Sequence, residues 1–123
     1  MHIDDITGKI LGCAFKVHTA LGPGLLESAY HRCLAYELEK AGLQVESELA
    51  LPIVYDGLKI DAAYRVDFRV EKTMLVEIKA VETVLPVHHA QLLSYLQLSG
   101  LRVGLLLNFN VPHMLDGIKR FAR

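Results

Sequence analysis

The sequence lacks the features that mark most specialised protein classes. It holds two cysteines in 123 residues, Cys13 and Cys33, with no CxxC pair, and His88-His89 is its only adjacent histidine pair. A structural zinc or iron–sulfur site needs closely spaced thiolates or imidazoles, so none is expected. Both cysteines sit among apolar neighbours and read as core residues of a reduced, intracellular protein. An excess of positive charge is also missing. Thirteen Lys and Arg stand against fourteen Asp and Glu, a net charge of -1. That excludes gripping a long polyanion by bulk charge. Any contact with nucleic acid must be local, with the positive charge brought by a metal ion or a partner subunit. Apolar runs such as Val84-Leu85-Pro86-Val87 and Leu105-Leu106-Leu107 fall far short of the ~20 residues that span a bilayer. Met1-His2-Ile3-Asp4-Asp5 has neither the basic nor the apolar region of a signal peptide. A cytoplasmic protein with no membrane partner is expected. No linker, repeat or low-complexity segment is visible.

Apolar residues are plentiful, at 52% of the chain and a mean hydropathy of +0.30. A chain of this length can bury a core without staples, and one domain over residues 1–123 is expected. So high an apolar fraction in a small chain suggests either a very dry core or a surface covered by another copy. The first helix carries Ile6, Ile10, Phe15 and Val17 around much of its circumference, so a dimer that buries part of it, or of the last helix, is expected.

Periodicity divides the chain into eight elements. Ile6, Ile10, Cys13, Ala14 and Val17 recur at helical spacing behind Asp4 and Asp5, which suit a helix start. Gly22-Pro23-Gly24 ends that helix near Ala20. A second helix runs from Leu25 to Ala41 and stops at Gly42. The period then changes. Val45 to Tyr55 and Lys59 to Val70 read as strands joined by the hairpin signal Asp56-Gly57. Thr73 to Val81, after Glu71-Lys72, is an apolar and therefore central strand. Pro86 opens a helix that ends at Ser99, Arg102 to Asn108 is a short strand, and Pro112 opens a last helix with Met114, Leu115, Ile118 and Phe121 on one side. The order ααβββαβα implies an α+β fold, a mixed four-stranded sheet flanked by helices.

The chemistry concentrates in Arg65-Val66-Asp67 and Val76-Glu77-Ile78-Lys79. Glu77 and Lys79 share one face of a strand, ~7 Å apart. Asp67, on the neighbouring strand of the hairpin, can reach the same face. Charges in the most apolar strand need a partner, because burying them unpaired costs several kcal/mol. One solution is an ion pair of Glu77 with Lys79 or Arg65. The other is a divalent-metal site, where hard carboxylate oxygens take Mg²⁺ or Mn²⁺ and the lysine orients a water. Two further groups sit at helical spacing. Glu27 lies in line with Tyr30, Leu34 and Leu38, the apolar face of the second helix, and would point at the sheet; the dipole of a helix start explains a glutamate there equally well. Gln91 and Tyr95 are i, i+4 neighbours on the third helix, placed like ordinary residues at the edge of a core helix.

Asp67, a nine-residue gap and Glu77-Ile78-Lys79 resemble the D…ExK signature of PD-(D/E)XK nucleases. With Glu27 upstream and Gln91-x-x-x-Tyr95 downstream, the order is similar to the RecB-like branch. The closest resemblance is to the small bacterial GxxExxY family, over about Ile6 to Arg120. It rests on four stretches in order: Val17 through Gly24 to Tyr30, Val76 to Val81, Pro86 to Tyr95, and Asn108-Phe109-Asn110-Val111-Pro112. The resemblance implies that Asp67, Glu77 and the Ile78 carbonyl bind the metal, with Glu27 completing the cluster. It implies that Lys79 handles the attacking water, and that Gln91 and Tyr95 touch the scissile phosphate or brace Lys79. Arg65 is our own addition as a phosphate contact. Members of that family often carry glycine where this chain has Asp61 or Ala62. Two functions follow as expectations: a metal-dependent nuclease acting on DNA or RNA, or a non-catalytic binding or assembly module on the same fold.

Overall fold

A computed structural model describes residues 1–123. The elements are α1 (Ile3–Leu21), α2 (Glu27–Lys40), β1 (Val45–Tyr55), β2 (Leu58–Val70), β3 (Met74–Lys79), α3 (Pro86–Ser99), β4 (Val103–Asn108) and β5 (Ile118–Ala122), with a 3-10 turn at Met114–Gly117. The sheet order is β1-β2-β3-β4-β5. β3 and β4 run parallel, joined through α3, and every other pair is antiparallel.

The sheet is covered on both faces, which is why β3, apart from Glu77 and Lys79, and β4, up to Asn108, are apolar rather than alternating. On one face Ile6, Ile10, Ala14 and Val17 of α1 and Tyr30, Leu34 and Leu38 of α2 pack with Phe68, Met74, Val76, Ile78, Leu105 and Leu107. On the other, Leu92, Tyr95 and Leu96 of α3 pack with Leu51, Val66, Leu75 and Leu106. The apolar stripe of α1 is therefore buried inside its own fold; of the residues expected to drive pairing, only Phe15 is exposed.

The chain after Pro112 departs from expectation. In place of a last helix there is a single 3-10 turn and then a fifth strand, whose residues Ile118 to Ala122 pair with β4 from Leu107 back to Val103. A terminal helix of about a dozen residues would be marginal by itself. Pairing instead satisfies the edge of a fully buried strand. Gly117 marks the change. A Cβ there would stand 2.0 Å from the Asn108 carbonyl oxygen, so no other residue lets the turn pack this closely.

The β1–β2 hairpin carries an irregularity that sets the register of everything beyond it. The Asp56-Gly57 turn has φ +48° and +81°, as a two-residue type I′ hairpin requires. It pairs Tyr55 with Leu58 and Ile53 with Ile60. The next pair is Leu51 with Tyr64, so Pro52 alone faces Asp61, Ala62 and Ala63. Pro52 has no N–H to give the ladder, which an edge strand tolerates. Ala62 takes up the bulge at φ +51°, a left-handed conformation that favours glycine. The position where relatives by resemblance carry glycine is thus one where the backbone asks for it.

Candidate functional site

The ladder between β2 and β3 is short: Val70–Met74, Arg69–Leu75 and Phe68–Val76. At the next step two side chains replace it. The Asp67 N–H donates to Glu77 Oε1 at 2.8 Å, and the Ile78 N–H donates to Asp67 Oδ2 at 2.7 Å. Each carboxylate thus satisfies a backbone donor left free where the strands part, and the two acids are locked together at the opening. β2 is irregular at this point. Val66 packs toward α3 while Phe68 packs toward α1 and α2, although strand neighbours two apart ordinarily share a face.

Glu77 is 8% exposed, yet it forms no ion pair with Lys79 or Arg65. Burial pushes its carboxyl up to about 8, and the Asp67 charge adds to the rise, while the Asp67 N–H and the charge of Lys79 oppose it. Burial also raises Asp67. The Ile78 N–H and His31 pull the other way, and Glu27 and Glu48 raise it further. A structural ion pair would show depressed carboxyls. Two raised ones describe a site short of positive charge.

The structure adds two residues that sequence reasoning missed. His31, one helical turn after Glu27, stacks on Phe68 with ring centroids 4.4 Å apart. Its Nε2 lies 3.4 Å from Glu48 Oε1 and 3.8 Å from Asp67 Oδ1, buried but hydrogen-bonded to neither. Ligand atoms of His31, Glu48 and Asp67 all fall within 4.8 Å of one another, a spread that one ion with donors at ~2.0–2.3 Å would draw in slightly. An unpartnered imidazole nitrogen between two carboxylates, with the Asp67 carboxyl raised, fits a divalent cation. A cavity of about 310 Å³ lined by Glu27, His31, Glu48 and Asp67, with no apolar wall, gives access to it. His31 could have been noticed as the i+4 neighbour of Glu27. Glu48 could not, because register counted from the Asp56-Gly57 turn sets it against Arg65. The bulge at Ala62 shifts it opposite Asp67.

The other expected residues surround this centre at differing distances. Glu27 is exposed on the cavity rim rather than directed at the sheet, though its charge reaches both acids. Lys79 is half-buried at the end of β3. Ile78 contributes an observed N–H. Tyr95 is buried on α3, its phenol raised by burial and then by the charges of Glu77, Tyr64 and Asp67. Gln91 is half-buried and makes no hydrogen bond to Asp67, Glu77 or Lys79. Arg65 is exposed and unpaired.

The residues of the GxxExxY-like stretch are latches for this arrangement. The Tyr30 hydroxyl donates to the Gly22 carbonyl at 2.6 Å and accepts from the Leu25 N–H at 3.1 Å, fixing the loop from which α2 starts. Its ring stacks on Phe109 at 4.7 Å. His18 Nε2 meets the Val111 carbonyl at 2.7 Å. The Asn108 amide bonds both the N–H and the carbonyl of Val81. Motif residues at the two ends of the chain therefore hold α2 against the end of β3.

A mixed sheet with two acids at the parting of β2 and β3, a lysine two residues on, and helices on both faces defines a nuclease-type core. The chain belongs to the PD-(D/E)XK nuclease superfamily, whose sequence pattern matches residues 4–121. It is similar to the crystal structure of SSO0001, at 26% identity and a TM-score of 0.52 over 76% of this chain. The match takes in 47% of that protein, so this chain aligns with about half of its length. No protein of curated function matches.

Proposed function

We propose that the chain is a metal-dependent nuclease of the GxxExxY type, in the RecB-like branch, hydrolysing phosphodiester bonds of DNA or RNA. The observation that supports it best is the reciprocal locking of half-buried Asp67 and buried Glu77, with no cation paired to Glu77, beside an unpartnered His31. Asp67, Glu77, His31 and Glu48 would hold the ion, with the Ile78 carbonyl and Glu27 as further contacts. When bound, a divalent cation neutralises phosphate charge and acidifies a water. The imidazole in the donor set tilts the preference from Mg²⁺ toward Mn²⁺.

The remaining chemistry belongs to the side chains. Lys79 donates to the attacking water and stabilises it as it loses its proton. The proton passes to bulk water, since a carboxylate that holds a dication is too weak a base to keep it. The water oxygen forms a bond to phosphorus, the bond to the leaving oxygen breaks, and that oxygen takes a proton from bulk water. The Tyr95 phenol and the Gln91 amide donate to phosphate oxygens, and Arg65 adds charge from the rim. The test is cleavage of single- and double-stranded DNA and RNA by purified protein with Mg²⁺, Mn²⁺ or chelator, in the parent and in Lys79→Ala. Metal-dependent cleavage by the parent alone is expected. Cleavage that persists in chelator or in Lys79→Ala would overturn the proposal.

A second reading, a non-catalytic binding or assembly module, draws support from the net charge of -1 and from the exposed apolar tip of the β1–β2 hairpin. Metal binding without any cleavage would favour it.

A further inference from the structure

A second opening lies between the hairpin and α3, and its lining shares no residue with the cavity at His31. It is a groove of about 450 Å³ walled by Ile53 and Tyr64 from the hairpin and by Val87 and Leu98 from α3, with Tyr95 and Gln91 also lining it. No charged side chain lines it. It therefore offers no counter-ion to a phosphate, a carboxylate or an ammonium group. Its polar groups are neutral: amides, a serine hydroxyl and two phenols. Tyr64 is 43% exposed and its ring centroid stands 5.7 Å from that of Tyr95, tilted by 49°.

The groove approaches the two acids at Tyr95. That residue packs in one apolar cluster with Val66, the neighbour of Asp67, and with Leu75, two residues from Glu77 on the same strand, and its phenol feels the charges of both acids. A nucleotide whose phosphate lies at the two acids carries its base a short distance away on a neutral aromatic ring. An uncharged slot with an exposed tyrosine face and amide donors and acceptors has that chemistry. The slot cannot sandwich the base. A ring inserted between Tyr64 and Tyr95 would need roughly twice the ~4.5 Å of one offset stack. The base instead stacks on the outer face of Tyr64 and turns its edge to the Gln97 amide and the Ser94 hydroxyl.

We infer that this groove binds an unpaired nucleobase of the chain whose phosphodiester is cut, so that the substrate is single-stranded nucleic acid, or an end or flap with unstacked bases. The inference rests on the nuclease reading for its geometry, but it is tested by binding alone. Bases in a duplex are paired and stacked, and presenting one to a side groove costs a few kcal/mol of unstacking. A single strand presents bases at no such cost, and stacking on an aromatic side chain tolerates any base.

The experiment is fluorescence anisotropy with the full chain and labelled oligonucleotides of one sequence, as single-stranded DNA, single-stranded RNA, blunt duplex and abasic strand. Ca²⁺ replaces the active ion to prevent turnover. Single strands of either sugar are expected to bind at least about tenfold tighter than duplex or abasic strand. Tyr64→Ala should lose about tenfold, within what one stacked base supplies, and Tyr64→Phe should restore it. The melting curve of each variant establishes that it is folded. Equal binding of duplex and single strand, equal binding by Tyr64→Ala, or no binding of any strand would overturn the inference. Tyr64-dependent binding without cleavage in Mn²⁺ would keep the groove and remove the nuclease reading. Cleavage of duplex that is indifferent to Tyr64→Ala would do the reverse.

Discussion

Glu77 is the residue on which the energetics of the site turn. Its carboxyl stands at about 8 against an ordinary 4.5, so the folded metal-free chain binds a proton that the unfolded chain has released. The stabilisation from this group is complete below the ordinary value and is lost as pH rises through about 8. At about 1.4 kcal/mol per unit, the loss is on the order of 5 kcal/mol at most. In chelator, the melting temperature is therefore expected to fall between pH 6 and pH 9, and Glu77→Gln should flatten that fall. A melting temperature that rises over the same interval in chelator would contradict it. Asp67→Asn tests the neighbouring acid. Asparagine keeps an oxygen to accept from the Ile78 N–H and removes one like charge, so the metal-free variant should be as stable as the parent or more so. Added Mn²⁺ or Mg²⁺ should raise the melting temperature of the parent more than that of the variant, because binding to the folded state alone stabilises it. A loss of about 3 kcal/mol in chelator, the mark of an unpaired buried cation, together with no metal response, would assign Asp67 a structural role.

At the scale of elements, the sequence pattern and the structure agree where periodicity is unambiguous and part where register decides. Helices α1 to α3 and strands β1 to β4 lie within a few residues of their expected limits, since Gly22, Gly42, Asp56-Gly57, Pro86 and Gly100 punctuate them in plain sight. The meeting of Asp67 and Glu77 was legible because both are charged residues in apolar strands on either side of one turn. The place of Glu48 was not, because a bulge of three residues against Pro52 has no signal in the alternation of apolar residues. The fifth strand was hidden for a different reason. Met114, Leu115, Ile118 and Phe121 fit a helical spacing, and only the free edge of β4, a tertiary fact, decides for a strand. The bulge makes a prediction of its own. Alanine in the left-handed region costs roughly 1–2 kcal/mol, while glycine costs up to about 1 kcal/mol in chain entropy. Ala62→Gly should therefore leave stability unchanged or raise it by up to about 1 kcal/mol in urea unfolding. A loss of the size usual for glycine in a strand would show that the bulge is not strained. At the start of α2, Tyr30→Phe deletes a hydroxyl that both donates and accepts. It should cost about 1–3 kcal/mol; a smaller effect would show that the Gly22–Gly24 loop does not depend on it.

At the scale of the whole molecule, what stands out is where apolar surface remains after folding. No helix is long and apolar enough to cross a membrane, and α1 spends its stripe on the core. Exposed apolar residues lie in several places, and one group of them, Val54, Tyr55, Leu58, Ile60 and Tyr64, lies on the β1–β2 hairpin, which runs on past the short β3. The cross-strand pairs Tyr55–Leu58 and Ile53–Ile60 share one face of this ribbon. Tyr55 and Leu58, at 72% and 59% exposed, remain largely uncovered. β1 is also a free sheet edge, which invites pairing unless something blunts it. A two-fold contact needs one patch that complements itself, and an uncharged ribbon face meets that condition without any matching of charge. The expected dimer therefore moves from the first helix to the hairpin tip. In sedimentation velocity at micromolar concentration the parent should run as a dimer. A double variant, Tyr55→Ser with Leu58→Asp, should run as a monomer with an unchanged melting temperature, because neither side chain is buried in the fold. Tyr64 and the groove stay intact in that variant, so single-strand binding should survive the loss of the dimer. A parent that sediments as a monomer would leave the ribbon free for a different protein, and a double variant that still dimerises would place the contact elsewhere on the surface.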